Sequence, residues 1–197
     1  MHKLFSIAFA LFLLMDSLGN VPLFIALLKD FSPKEKKKII IRELCIALLV
    51  IYAFYFLGSL ILDLIQIQQH TLSIAGGLIL FFIAIRMVFP PSHSKEEQKS
   101  LKEPVIVPLA IPLIAGPAVL AAVMIYSQQK EAPLLVFGAI GIAWACSTLI
   151  LLSSTYLQRL LGEKGLTALE RLMGLLLTLI AIQMFLQGIC LFIHTLS

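Results

Sequence analysis

The stretch Asp16-Ser17-Leu18-Gly19-Asn20-Val21-Pro22 interrupts an apolar segment that runs from Leu4 to Leu28. A segment of that length crosses a bilayer, for which about 20 apolar residues suffice. An aspartate, a glycine, an asparagine and a proline then fall near its middle. An ionised carboxylate at that depth costs several kcal/mol, from about 2.5 upward. Gly and Pro also loosen the helix there and free backbone groups that lipid cannot satisfy. The segment reads as a broken membrane helix whose irregular backbone faces protein or a water-filled cavity. In a soluble chain the same residues would simply end one helix at Gly19-Asn20 and start another at Pro22.

Composition decides between these readings. Hydrophobic residues make up 60% of the chain and charged residues 13%, where a soluble domain is nearer half apolar and a quarter charged. Successive apolar runs of membrane-spanning length define a polytopic helical membrane protein. The net charge of +4 does not indicate nucleic-acid binding, because the basic residues lie between spans and do not interleave with aromatics. Lys3 and the run Leu4 to Met15 resemble the start of a signal peptide. No small-x-small cleavage site follows, so a retained first span is expected. Cys45, Cys146 and Cys190 each lie in an apolar run without a C-x-x-C pair, and read as small buried hydrophobes.

Six spans are expected: Leu4–Leu28, Ile40–Leu62, Thr71–Phe89, Pro104–Tyr126, Pro133–Leu157 and Leu169–Ile193. Every Lys and Arg except Lys3 and Lys130 falls in, or just beside, the first, third or fifth connection. Short loops rich in Lys and Arg stay cytoplasmic, which places both termini on the periplasmic side in a bacterium. The segment Pro90–Glu103 is the one linker with a marked shift in composition. It separates a first unit, residues 1–89, from a second, residues 104–197.

The two units resemble each other. At a constant offset of 97 residues, Gly77-Leu78 matches Gly174-Leu175, Leu80 matches Leu177, Ile83-Ala84-Ile85 matches Ile180-Ala181-Ile182, and Met87 matches Met184. The same offset sets Gly19 on Gly116 and Leu23 on Leu120. Three is an odd number of crossings, so the second unit is inverted relative to the first. Many secondary transporters are built this way, with ligands held near the midplane by interrupted helices in matching positions. The fourth span supplies the matching interruption: Pro104, Pro108 and Pro112 remove successive backbone donors, and Gly116-Pro117 is a strong break.

A broken helix presents unpaired carbonyls at the end of its first half and unpaired N–H groups at the start of its second. Asn20 suits an N-cap with Pro22 in the first turn. Gly116 suits a cap with Pro117 at the first helical position. Two such positive ends meeting at one point would hold a carboxylate, while the Asp16 carboxylate would favour an ammonium group, Na⁺ or a proton. A small zwitterion such as a neutral amino acid satisfies both. Candidate substrate- or ion-binding residues are therefore Asp16, Gly19, Asn20, Pro22, Pro112, Gly116 and Pro117, with no metal site and no cofactor beyond a coupling Na⁺ or H⁺.

Other polar residues read more simply. Arg86 snorkels to headgroups, and its repeat mate Gln183 lies at a vestibule. Arg42-Glu43 and Glu170-Arg171 are interfacial ion pairs or dipole partners. Trp144 faces protein, because its N–H needs an acceptor. Gly138, Gly141 and Ala145 form a small-residue face suited to close packing or to a dimer or trimer. Ser6, Ser73, Thr148 and Thr178 bond carbonyls of their own helices. No nucleophile elbow, zincin motif, phosphate loop or intramembrane carboxylate pair is present as a motif, so the chain is not expected to be an enzyme. A pore or an accessory structural membrane protein is the competing reading.

Asp16-Ser17-Leu18-Gly19-Asn20-Val21-Pro22-Leu23-Phe24 resembles the Asp-Pro-x-Gly-Asn-x-Pro-x-Phe signature of the MarC family. Pro108-Leu109-Ala110-Ile111-Pro112-Leu113-Ile114-Ala115-Gly116-Pro117 is similar to its second signature. Arg42-Glu43-Leu44, Leu161-Gly162-Glu163-Lys164-Gly165 and Glu170-Arg171-Leu172-Met173-Gly174 resemble its YhgN-like branch. The resemblance covers essentially the whole chain. It implies a bacterial inner-membrane protein, in a family that includes an ion-driven transporter of small neutral amino acids such as glycine and alanine. The chain departs from the pattern at Ser17, where the family usually has Pro, and at Gln187, where close relatives have Asp.

Overall fold

The computed structural model describes residues 2–29, 31–89, 114–128 and 132–196. Among these residues the protein is all-helical, with α1 (His2–Met15), α2 (Val21–Leu27), α3 (Pro33–Leu64), α4 (Gln69–Val88), α5 (Pro117–Gln128), α6 (Pro133–Leu152) and α7 (Ser154–Leu196). Helices α3, α4, α6 and α7 are long and apolar enough to cross a membrane, and α1 and α5 are shorter apolar helices. The linker 90–103 and the start of the expected fourth span, with Pro104, Pro108 and Pro112, lie outside the described residues.

Two helices begin earlier than their apolar runs. Helix α3 takes in the lysines that read as a connection, because Ser32 and Glu35 form a reciprocal cap. The Ser32 N–H donates to Glu35 Oε2 at 2.9 Å, and the Glu35 N–H donates to Ser32 Oγ at 3.4 Å. Pro33 then occupies the first turn, where its missing N–H is no loss. In α7 helix extends into the expected fifth connection, Gln158 to Ala168, from both sides and breaks within it at Gly162. The chain changes direction inside it at Gly162, whose φ of 63° suits glycine.

Helices α4 and α7 form the closest pair, and they run antiparallel. A Cβ on Gly77 would stand 2.8 Å from the Ala181 carbonyl oxygen and 2.9 Å from the Phe185 nitrogen. A Cβ on Gly174 would stand 2.9 Å from Met87 Cβ and 3.0 Å from the Ala84 carbonyl oxygen. Backbone-to-backbone approach of this kind is how membrane helices gain van der Waals contact, since lipid is as apolar as leucine. The expected small-residue face on α6 is not such a seam. A Cβ on Gly138 would meet Leu4 Cδ1 at an ordinary 3.6 Å, and Ala145 is exposed.

Around this pair, α1 packs on α6, α5 lies against α3 and α4, and α3 meets α6. The core is apolar and includes Leu11, Met15, Phe24, Leu44, Ile51 and Ile140, while Phe9, Leu49, Phe56, Leu60, Phe82 and Leu179 are exposed. Large apolar residues on both the inside and the outside are what lipid as solvent requires. Polar tips are joined across helices: the Trp144 indole N–H donates to the Leu44 carbonyl at 2.8 Å, and the Tyr52 hydroxyl to the Phe137 carbonyl at 3.1 Å. Trp144 thus faces protein, as expected. Thr148 and Thr178 donate to their own helices, but Ser73 bridges to the Met184 carbonyl on α7 at 2.9 Å. The cysteines depart from expectation in being exposed, and they are free of disulfides. They sit on outward faces of their helices, where a weakly polar thiol costs little in lipid.

The glycine contacts set an expected contrast. Gly77→Ala destabilises the protein by about 1–3 kcal/mol, the usual cost of overpacking, because the atoms it meets are backbone. Gly138→Ala stays within about 0.5 kcal/mol of the parent. Thermal unfolding of the two variants in one detergent checks both.

Candidate functional site

Helix α1 stops at Met15 and α2 starts at Val21, with Asp16 to Asn20 forming turns between them. Asp16 makes the break with a φ of 45°, a left-handed conformation that Asp tolerates better than most residues. Strained backbone of this sort persists where surrounding structure over-determines it. The turn is closed by its own polar groups. The Asn20 N–H donates to the Asp16 carbonyl at 3.0 Å, and the Gly19 N–H donates to Asp16 Oδ1 at 3.3 Å. Asn20 holds the N-cap position of α2 without capping it by its side chain. Its amide turns back and donates to the Met15 carbonyl at 3.4 Å, one of the carbonyls the broken helix leaves open.

This turn is buried. Asp16 is 7% exposed and Ser17 1%. The Ser17 hydroxyl has no hydrogen-bond partner among the described residues, which leaves a desolvated polar group beside the carboxylate. Gly19 has no room for a side chain. A Cβ there would meet Met87 Cε and both Asp16 carboxylate oxygens, the latter at 2.5 and 2.7 Å.

The start of α5 comes to the same place. Ala115 and Gly116 are not helical, and α5 begins at Pro117. Asp16, Gly19 and Asn20 from the first break and Gly116 and Pro117 from the second line one cavity of about 310 Å³. Of the remaining candidates, Pro22 sits in the first turn of α2 and is not among the lining residues. Pro112 lies outside the described residues.

The cavity holds one residue the sequence reading assigned elsewhere. Glu170 lines it from α7, in the same cavity as Asp16. The two are 154 positions apart, so no local motif in the sequence joins them. The nearest sequence signal was Glu170 as a lone carboxylate at the start of the last apolar run. Arg42-Glu43, by contrast, is an ion pair, with Arg42 Nη2 2.7 Å from Glu43 Oε1 and the glutamate 1% exposed. Among the described residues no cluster of His, Cys, Asp and Glu suits a metal ion.

A chain that is all-helical among its described residues, with four apolar helices of membrane-spanning length and a cavity carrying Asp16, Asn20 and Glu170 between them, is a multi-pass integral membrane protein. The chain belongs to the MarC family of integral membrane proteins, whose model matches residues 1–193. It is 50% identical over 192 residues to the UPF0056 inner membrane protein YhgN of Escherichia coli K12, covering 96% of this chain and 97% of that protein. It is 47% identical over 193 residues to a UPF0056 membrane protein of Buchnera aphidicola subsp. Baizongia pistaciae, with the same coverage of 96% and 97%. A UPF0056 membrane protein of Chlamydia pneumoniae is 38% identical over 191 residues, covering 94% of this chain and 93% of that one. No solved structure matches the chain significantly.

Within the Asp16 turn, two substitutions are expected to act with opposite sign. Ser17→Ala removes an unsatisfied buried hydroxyl and stabilises by about 1 kcal/mol. Gly19→Ala forces the Asp16 carboxylate to move and breaks its bond to the Gly19 N–H, destabilising by about 1–3 kcal/mol. Thermal unfolding without added ligand reads both.

Proposed function

We propose that the chain is a secondary transporter that moves a small neutral amino acid, of glycine or alanine size, by ion-coupled alternating access. The observation that carries this reading is the single cavity lined by both interruptions together with Asp16. Helix α5 offers first-turn N–H groups that a helix cannot pair internally, and the positive end of its dipole. These suit the substrate carboxylate. Helix α2 is only seven residues long and contributes the smaller field. Asp16 and Glu170 suit the ammonium group. Two carboxylates in a low-dielectric surrounding repel each other, and a cation relieves that repulsion, which gives Na⁺ or H⁺ a place in the cycle.

The architecture we infer is six membrane spans in two inverted three-helix repeats, with the first and fourth spans broken near the midplane. The α4–α7 contacts support it. Gly77 faces Ala181, Met184 and Phe185, while Gly174 faces Ala84, Met87 and Val88. Each of these residues has its counterpart at the same offset of 97, which is what a two-fold axis between the repeats produces. The packing of α1 on α6 and of α5 on α3 has the same relation. The distribution of Lys and Arg supports loops 1, 3 and 5 on the cytoplasmic side and both termini in the periplasm of a bacterial inner membrane.

Proteoliposomes loaded with purified protein test the reading. Labelled alanine is expected to accumulate saturably with an imposed Na⁺ or H⁺ gradient. Asp16→Asn is expected to lower that uptake about 10- to 100-fold, the loss of one charge-assisted hydrogen bond worth roughly 1.5–3 kcal/mol. Linear flux without accumulation would instead identify a pore. Absence of any flux, with no thermal stabilisation by millimolar amino acids, would identify an accessory membrane protein.

A further inference from the structure

A second cavity, of about 550 Å³, is lined on α1 by Ala10 and Leu14, ahead of the Asp16 turn. Its polar lining comes from Ser73, Tyr126, Gln183 and Gln187. It sits toward the Ser73 end of α4, whereas the first cavity sits toward the Ile83–Met87 end. The two therefore lie toward opposite ends of the same antiparallel helix pair. They share one described lining residue, Leu14, in the last turn of α1 immediately before the break.

The two linings differ in chemistry. The first cavity carries the carboxylates of Asp16 and Glu170. The described lining of the second has no ionisable carboxylate and no Lys or Arg, only amides, hydroxyls and apolar side chains. Gln183 and Gln187 are exposed on α7, where an amide facing acyl chains would lose its hydrogen bonds at a cost of several kcal/mol, roughly 2–7. Facing water, the same amides cost nothing. Amides and hydroxyls also bind a dipolar solute without trapping it by net charge, which suits an approach path better than a resting site.

We propose that the second cavity is a water-filled approach for a small neutral or zwitterionic solute from the side opposite the first cavity, and that Leu14 is the partition between the two. The identity of the solute rests on the transporter reading above; the two-sided access does not. A buried leucine, 8% exposed, at the end of a helix that breaks two residues later at Asp16 is placed to move with that break. Its side chain is large enough to separate the cavities and carries no group that would hold the solute. Ser73 fixes the far wall by donating to the Met184 carbonyl, so the movable element is the α1 end and not the α4–α7 seam.

Sided thiol labelling tests this without any substrate. Cys45, Cys146 and Cys190 are replaced by alanine, and single cysteines are placed by Gln187→Cys or Ile83→Cys. A charged, membrane-impermeant methanethiosulfonate reagent is applied to right-side-out and inside-out vesicles. The two positions are expected to label from opposite sides only, and Leu14→Cys from both. Adding Leu14→Ala to the Ile83→Cys chain is expected to produce labelling from the Gln187 side, where the parent shows none. Labelling of both positions from one side, failure of Gln187→Cys to label from either, or one-sided labelling of Leu14→Cys would overturn the proposal. If Leu14→Ala does not fold, the Leu14→Cys result decides alone. Absent alanine uptake with two-sided labelling intact would sink the transporter reading and leave this one standing.

Discussion

Lipid cannot hydrogen-bond a peptide group, and every feature of this protein follows from how it meets that constraint where the first helix breaks. Between Met15 and Val21 the ladder of α1 stops, and the groups it abandons are taken up locally. Asp16 accepts from the Gly19 N–H, Asn20 donates to the Met15 carbonyl, and the Asn20 N–H returns to the Asp16 carbonyl. The break is thus a folded object and not a frayed end. It tolerates its apolar surroundings because protein encloses it and a cavity opens beside it.

That enclosure depends on how closely helices approach elsewhere. The α4–α7 seam brings backbone against backbone at Gly77 and Gly174, and this lets Met87 and Glu170, near the ends of that seam, reach the Asp16 turn. A side chain on Gly77 would spread the seam; one on Gly19 would displace the carboxylate the seam helps enclose. Packing and site are therefore one arrangement. The polar residues of the site are few and the helices around them are almost wholly apolar, so the shape of the cavity is set by backbone approach more than by side-chain chemistry.

Much of this was legible in the residues. The interruption at Asp16 to Pro22 stood out because a carboxylate, a glycine and a proline in a run of that length have no cheap place in lipid. The start of α5 at Pro117 followed from the Gly-Pro pair. What escaped had physical reasons. The capping of α3 by Ser32 and Glu35 extended a helix over lysines that charge alone marked as loop. The change of direction expected between Gln158 and Ala168 is present at Gly162, but helix on both sides shrinks that connection to a single residue. Glu170 and Asp16 line one cavity from 154 positions apart, which no spacing rule detects. Gly138 and Gly141 offered the same sequence signal as Gly77 and Gly174, and only the fold shows which pair carries close approach.

The central claim is that the two interrupted helices meet across one cavity. Cross-linking of Leu23→Cys to Ala118→Cys, in a chain lacking its native cysteines, tests it most directly, since both residues line that cavity from opposite breaks. A short bis-alkylating reagent applied in native membranes is expected to join them in one chain and to lock the protein against thermal unfolding. No cross-link, while a pair across the α4–α7 seam such as Leu78→Cys and Ile182→Cys, which line one pocket there, joins under the same conditions, would contradict the account.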